Sequence, residues 1–238
     1  MTTEATYKKN MKLADIMAAD NRLLSILQRL GIRLGFGEAT VSEICTRYGI
    51  STNLFLEICN IYSFRHYTPQ IESLDENDIE SITTYLRASH KYYSEVCFPT
   101  IHNSIHKLVN ELDEVSHRLI DKFYDDYDNE VTSHFKYEEE VVFPYIEALK
   151  SQSSKENEEN PFTIKSFEQS HSNVSEKLND LKNIIIKYLP EDSATSLRFD
   201  ILQDIYLVES DLCKHSLIEN KLLIPLVETM EKRNGQSK

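Results

Sequence analysis

Two short stretches of this 238-residue chain place a histidine and a glutamate at a spacing that can hold a metal ion: His134-Phe-Lys-Tyr-Glu138 and His215-Ser-Leu-Ile-Glu219. Four residues apart on an α-helix, the two side chains lie on one face about one turn apart. Imidazole and carboxylate together suit a single transition-metal ion. One such pair arises by chance in any acidic helix. Here the copies are offset by 81 residues, and the same offset carries Pro144 onto Pro225, Glu147 onto Glu228, Glu130 onto Asp211, and His90 onto His171. The chain therefore contains an internal repeat.

The repeat assembles six candidate metal ligands: His90, His134, Glu138, His171, His215 and Glu219. A lone histidine on an apolar face is ordinarily a hydrogen-bonded core residue. Four of them with two glutamates at repeated spacing are better explained by metal, because each unpaired carboxylate taken into a core costs several kcal/mol. Six donors exceed the needs of one tetrahedral zinc. They suit two ions, each with two histidines, sharing both glutamates. An oxo or hydroxo bridge adds a fifth ligand and leaves a sixth position open. Imidazole with carboxylate in near-octahedral geometry favours two iron ions, with manganese or zinc as substitutes. No cysteine stands at a ligand position, which argues against an iron–sulfur cluster.

An open coordination position suits O2, NO or peroxide as the small ligand. The donor set has fewer carboxylates than the ferritin-like di-iron pattern, which favours the reduced metal and therefore reversible redox, sensing or metal donation. Glu130 and Asp211 fall one turn before His134 and His215 and read as outer partners or as the lining of an access path. His102 and His106 lie roughly 120–160° around the helix from His90 at ~100° per residue. With His66 and His117 they read as non-ligands, while Glu139, Glu140, Glu147 and Glu228 read as surface. No residue is assigned a catalytic role.

These ligands need helices to position them. Four amphipathic patterns run from Asp75 onward. The first carries Ile79, Ile82, Leu86, His90, Tyr93 and Cys97, with a kink expected at Pro99. The second carries Ile120, Phe123, Tyr127, His134, Glu138 and Val142; the third Ile164, Phe167, His171, Leu178 and Leu181; the fourth Ile201, Ile205, Leu212, His215, Glu219 and Leu222. The polar run 151–160 is a loop, and Phe143-Pro144 and Ile224-Pro225 read as kinks or helix-end devices. The predicted fold is all-α: an up-down-up-down four-helix bundle over 75–232, preceded by a small helical domain over 1–68. In that first domain Thr40–Tyr62 reads as helix, Gly49 turn, helix. Residues 51–62 carry no basic side chain, so a packed hairpin is favoured over DNA binding.

Composition agrees. Five glycines, six prolines and no tryptophan argue against a turn-rich β fold. The net charge of −13 is concentrated in residues 75–238, which carry −14, and such a surface repels phosphate and disfavours nucleic acid. The four cysteines form no C-x-x-C and read as free thiols of a reducing cytoplasm. With no apolar run long enough to span a bilayer, the expectation is a cytoplasmic protein without a membrane partner; the oligomeric state is left open.

At these residues a resemblance emerges. The pattern H…H-x-x-x-E-E-x-x-x-F-P…H…H-x-x-x-E-N-x-x-L-x-P over about 75–230 resembles the hemerythrin-like domain of the di-iron "repair of iron centres" proteins, implicated in restoring iron–sulfur clusters after nitrosative or oxidative stress. All six metal positions match, as do Glu139 after Glu138, Asn220 after Glu219, and Pro99 beyond His90. The resemblance implies an oxo-bridged non-haem di-iron centre with Glu138 and Glu219 shared, His90 and His134 on one iron, and His171 and His215 on the other. It also implies a stress-response role with iron–sulfur client proteins as partners. The N-terminal part resembles the short helical domain of that family, which carries a Cys-Cys pair; here Gly31-Ile-Arg-Leu-Gly35 occupies that place, without cysteine. The alternatives are a di-iron NO or peroxide reductase, an O2, NO or redox sensor signalling through the N-terminal module, and a simple O2 carrier.

Overall fold

The computed structural model describes residues 6–151, 162–170, 174–191 and 193–236. His171 and most of the 151–160 loop lie outside the described residues. Among the described residues the chain is all-α, as the sequence predicts: α1 Leu13–Ala19, α2 Leu24–Arg29, α3 Val41–Tyr48, α4 Thr52–Ser63, α5 Glu76–Tyr92, α6 Phe98–Val109, α7 Glu114–Tyr137, α8 Phe143–Lys150, α9 Ile164–Ser170, α10 Val174–Lys187, α11 Thr195–Ile218 and α12 Ile224–Gln236. The chain divides into two compact units, residues 1–88 with 149–165 and 214–238, and residues 89–148 with 166–213.

In the first unit, local chemistry sets the helix ends. The Thr40 hydroxyl accepts from the Glu43 N–H while the Glu43 carboxylate accepts from the Thr40 N–H, a reciprocal cap on α3. Gly49, at φ 67°, ends α3 in the left-handed region that a residue with a Cβ reaches only at a cost. The Asp75 carboxylate accepts from the Asn77 N–H at 2.7 Å at the start of α5. Leu13, Ile16, Leu23, Ile26, Val41, Ile44, Leu54, Phe55 and Ile58 are fully buried. Residues 6–12 are held rather than frayed, since the Tyr7 N–H donates to Asn60 Oδ1 at 2.9 Å and Lys12 bridges to Thr40. Buried Arg29 donates to the Tyr62 hydroxyl at 2.8 Å and the Tyr85 hydroxyl at 3.2 Å.

The second unit is built on a continuous apolar cluster from α6, α7, α10 and α11, including Ile101, Ile105, Leu108, Ile120, Tyr124, Val131, Leu181, Ile185, Ile201 and Ile205. Two of its polar groups are bonded within it: the Tyr124 hydroxyl donates to the Phe98 carbonyl at 2.8 Å, and Lys182 donates to both oxygens of Glu209.

Three interruptions matter for function. The chain turns through π-helix at Tyr93–Cys97, Glu138–Val142 and Glu219–Leu223. In each case the following N–H reaches five residues back: Phe98 to the Tyr93 carbonyl, Phe143 to Glu138, and Ile224 to Glu219. Each π-turn is followed by a hydrophobic residue and then a proline: Pro99, Pro144 and Pro225. Proline supplies no N–H and its ring collides with the carbonyl four residues before it. The extra residue of a π-turn relieves that collision while the helix continues. The kinks expected at these prolines are thus π-turns inside continuing helices.

Candidate metal centre

Two of the three π-turns begin on a glutamate that the sequence offers as a metal ligand. Glu138 and Glu219 are each 0% exposed. In the second unit His90 Nε2 lies 2.9 Å from Glu138 Oε2, and His134 Nε2 lies 2.8 Å from Glu138 Oε1. In the first unit His215 Nε2 lies 3.1 Å from Glu219 Oε1. His90, Glu138, His215 and Glu219 are all buried. His134, less deeply placed, joins through Glu138. The structure is silent on His171.

The protonation logic around His90 fits a cation. Its Nδ1 is 2.8 Å from Glu139 Oε1, so Nδ1 carries the hydrogen and donates it. A neutral ring then presents a lone pair at Nε2, aimed at a carboxylate oxygen that is itself only an acceptor. Two acceptors at that distance require positive charge between them, either a further proton or a metal ion. A metal ion also compensates the burial of two carboxylates.

Glu139 is the residue that sequence reasoning placed on the surface. It stands one position after a ligand, about 100° around the helix, and its partner is 49 residues away. No spacing within one helix reveals such a contact. It does what a carboxylate behind a metal-binding histidine does: it fixes the tautomer and makes the ring a stronger donor. His90 is further held between rings, stacked on Phe135 with centroids 4.3 Å apart and facing Phe143 at 5.8 Å.

Of the expected outer residues, Asp211 is half-buried and accepts from the buried Tyr93 hydroxyl at 2.8 Å. Tyr93 opens the first π-turn, three residues after His90, and the sequence showed it only as part of an apolar stripe. Glu130 is half-buried, one turn before His134. His102 and His106 are exposed and pack against each other edge to face.

Cys45 and Cys59 are buried free thiols, and burial pushes Cys45 up to about 11 and Cys59 well above its ordinary value. Neither is a ready nucleophile.

An all-α chain with buried imidazoles and carboxylates turned toward one another is a helical cation-binding protein. The family model for the hemerythrin HHE cation-binding domain matches residues 81–227, more than half of the chain, and the chain belongs to that family. No curated protein and no solved structure matches it. No described helix is long and apolar enough to cross a membrane.

Proposed function

We propose that residues 75–232 are a non-haem di-iron domain and that residues 1–68 are a separate small helical module serving it. His90, His134, Glu138, His171, His215 and Glu219 would hold two iron ions, with both glutamates shared. When bound, the ions supply redox chemistry and an open position for O2, NO or peroxide. The chain's own residues bury the site, orient His90 through Glu139, and set the glutamates with π-turns. The protein then serves the response to nitrosative or oxidative stress, assisting repair of damaged iron–sulfur clusters by iron donation or redox chemistry.

The observation carrying this reading is the pair of fully buried glutamates, each facing imidazole nitrogen at 2.8–3.1 Å. The test is to offer the iron-loaded protein to an enzyme whose cluster has been damaged. Reactivation beyond that given by the same amount of free iron supports donation; reactivation no better than free iron excludes it.

A second reading, a sensor, has its own support within the first unit. Lys214, beside His215, donates to the Ile61 carbonyl in the last turn of α4 at 2.8 Å. Lys221, inside the π-turn that begins at Glu219, donates to the Tyr67 carbonyl at 3.2 Å. Lysines flanking two ligands thus hold the end of the N-terminal module. If the site signals through them, amide exchange in 60–70 changes between iron-free and iron-loaded protein, and Lys214→Ala with Lys221→Ala abolishes the difference. Identical exchange in both states removes this reading.

A further inference from the structure

One further pair of histidines in the second unit is brought together away from the buried glutamates, and its surroundings suit a different ion. His102 and His106 stand four residues apart on α6, both exposed, with ring centroids 4.7 Å apart and planes at 88°. Among the described residues neither ring takes part in a hydrogen bond or an ion pair, and His102 otherwise meets the ring of Tyr124 at 5.6 Å. Their nitrogens therefore have no partner to give up when a cation arrives.

The helix that carries the pair is already fixed. Ile101, Ile105 and Leu108 bury the inner face of α6, and the Tyr124 hydroxyl ties α7 to the Phe98 carbonyl at the start of α6. Binding an ion thus requires side-chain rotation and no ordering of backbone. Two imidazole nitrogens bound to one ion at about 2.0–2.1 Å sit roughly 3 Å apart when they occupy neighbouring positions. Rings with centroids at 4.7 Å reach that spacing by turning about their own bonds.

The neighbouring charge favours a cation. Tyr124 shares its stripe of α7 with Asp121 and Asp128, three residues before it and four after, both half-buried. Burial, and then the charges of Asp128 and Asp125, push the Tyr124 hydroxyl above its ordinary range, so the field on this side of α7 is negative. Such a field raises the local concentration of cations. The donor type then selects among them. At a nitrogen site affinity rises from manganese and ferrous iron through cobalt and nickel to copper, with zinc below copper. A pair of imidazoles with no carboxylate in contact therefore discriminates against ferrous iron.

We propose that His102 and His106 form a two-histidine chelate on the outer face of α6 for a late first-row divalent cation, copper(II) ahead of nickel(II) and zinc(II), with water completing the coordination. Binding there is independent of the di-iron reading: the pair takes copper whether or not the buried residues hold iron, and its loss leaves the iron content as it was.

The full untagged chain, loaded with iron and with its exposed thiol Cys213 alkylated, is titrated with copper(II) and followed by electron paramagnetic resonance. Wild type binds one copper whose spectrum carries splitting from two imidazole nitrogens. His102→Ala and His106→Ala each weaken binding by more than the about 10-fold that loss of an outer partner alone costs, and leave one nitrogen. The double change His106→Ala with Lys107→His keeps the number of histidines but moves the second ring about 100° around the helix, and it weakens binding as much as either single variant. His102, His106 and Lys107 are exposed, so the variants keep the fold, which circular dichroism checks. Copper affinity equal to wild type in the two single variants overturns the proposal. So does a wild-type spectrum without two imidazole nitrogens. Wild-type affinity in the double variant shows that histidine number and not helical spacing holds the ion, and overturns the chelate.

Discussion

His134 and His215 occupy the same place in the two copies of the repeat, each four residues before a fully buried glutamate that opens a π-turn, and each ten residues before a proline. Their settings differ. The His134 side chain is 20% exposed and the His215 side chain 2%. The first copy packs a phenylalanine, Phe143, where its π-turn rejoins α-helix, and the second packs Ile224; both are buried. The shared part is a backbone device. Glutamate, five-residue π-turn and proline set the phase of the ligand against the rest of the helix. The divergent part is side-chain packing and the depth of the histidine. The device recurs in both copies while its surroundings differ.

The largest effect should come from removing either glutamate proposed to be shared. Glu138→Ala and Glu219→Ala are each expected to lower iron affinity by more than the ~100-fold typical of an outer-partner loss, leaving well under one iron per chain by metal analysis after desalting. Equal losses sharpen the equivalence of the two glutamates; a variant keeping both irons shows that its glutamate is not shared. Next come the packing residues. Phe143→Ala should destabilise the iron-free protein by ~3–5 kcal/mol, and Ile224→Val by only ~0.5–1.5 kcal/mol, measured by urea unfolding. Similar losses would show that the two π-turn exits are packed alike.

Pro144→Ala and Pro225→Ala probe the backbone device itself. Alanine restores an N–H and removes the ring collision, so each π-turn is free to relax into α-helix. Iron-free stability should rise by up to ~3 kcal/mol while iron affinity falls, a trade between stability and site geometry. A rise in both would show that the π-turns do not serve the ligands. The smallest effect is His102→Ala, which leaves iron content unchanged because His102 is an exposed residue on the outer face of α6.

Much of this was legible in the sequence. The helical class followed from composition and periodicity, and the candidate ligands His90, Glu138, His215 and Glu219 followed from the repeat; all four are buried, and each glutamate faces a histidine within its own unit. The caps at Thr40 and Asp75 and the turn at Gly49 were readable because they depend on neighbours within four residues. The π-turns were not. A proline announces that a helix must yield, but whether it ends, bends or takes in an extra residue is decided by packing on both sides. Glu139 keeps a partly exposed side chain, 35%, but its contact with His90 was not legible: helical periodicity describes one helix, and a side chain off the apolar stripe can still reach a residue on another. The Tyr93–Asp211 bond joins residues 118 apart and left no trace in any local pattern.

The most direct measurement is diffraction from crystals of the purified protein at energies on either side of the iron absorption edge. The account predicts two iron peaks per chain, both within bonding reach of Glu138 and Glu219, one adjoining His90 and both enclosed by the six ligands. A single peak, or iron bound away from these glutamates, would contradict it.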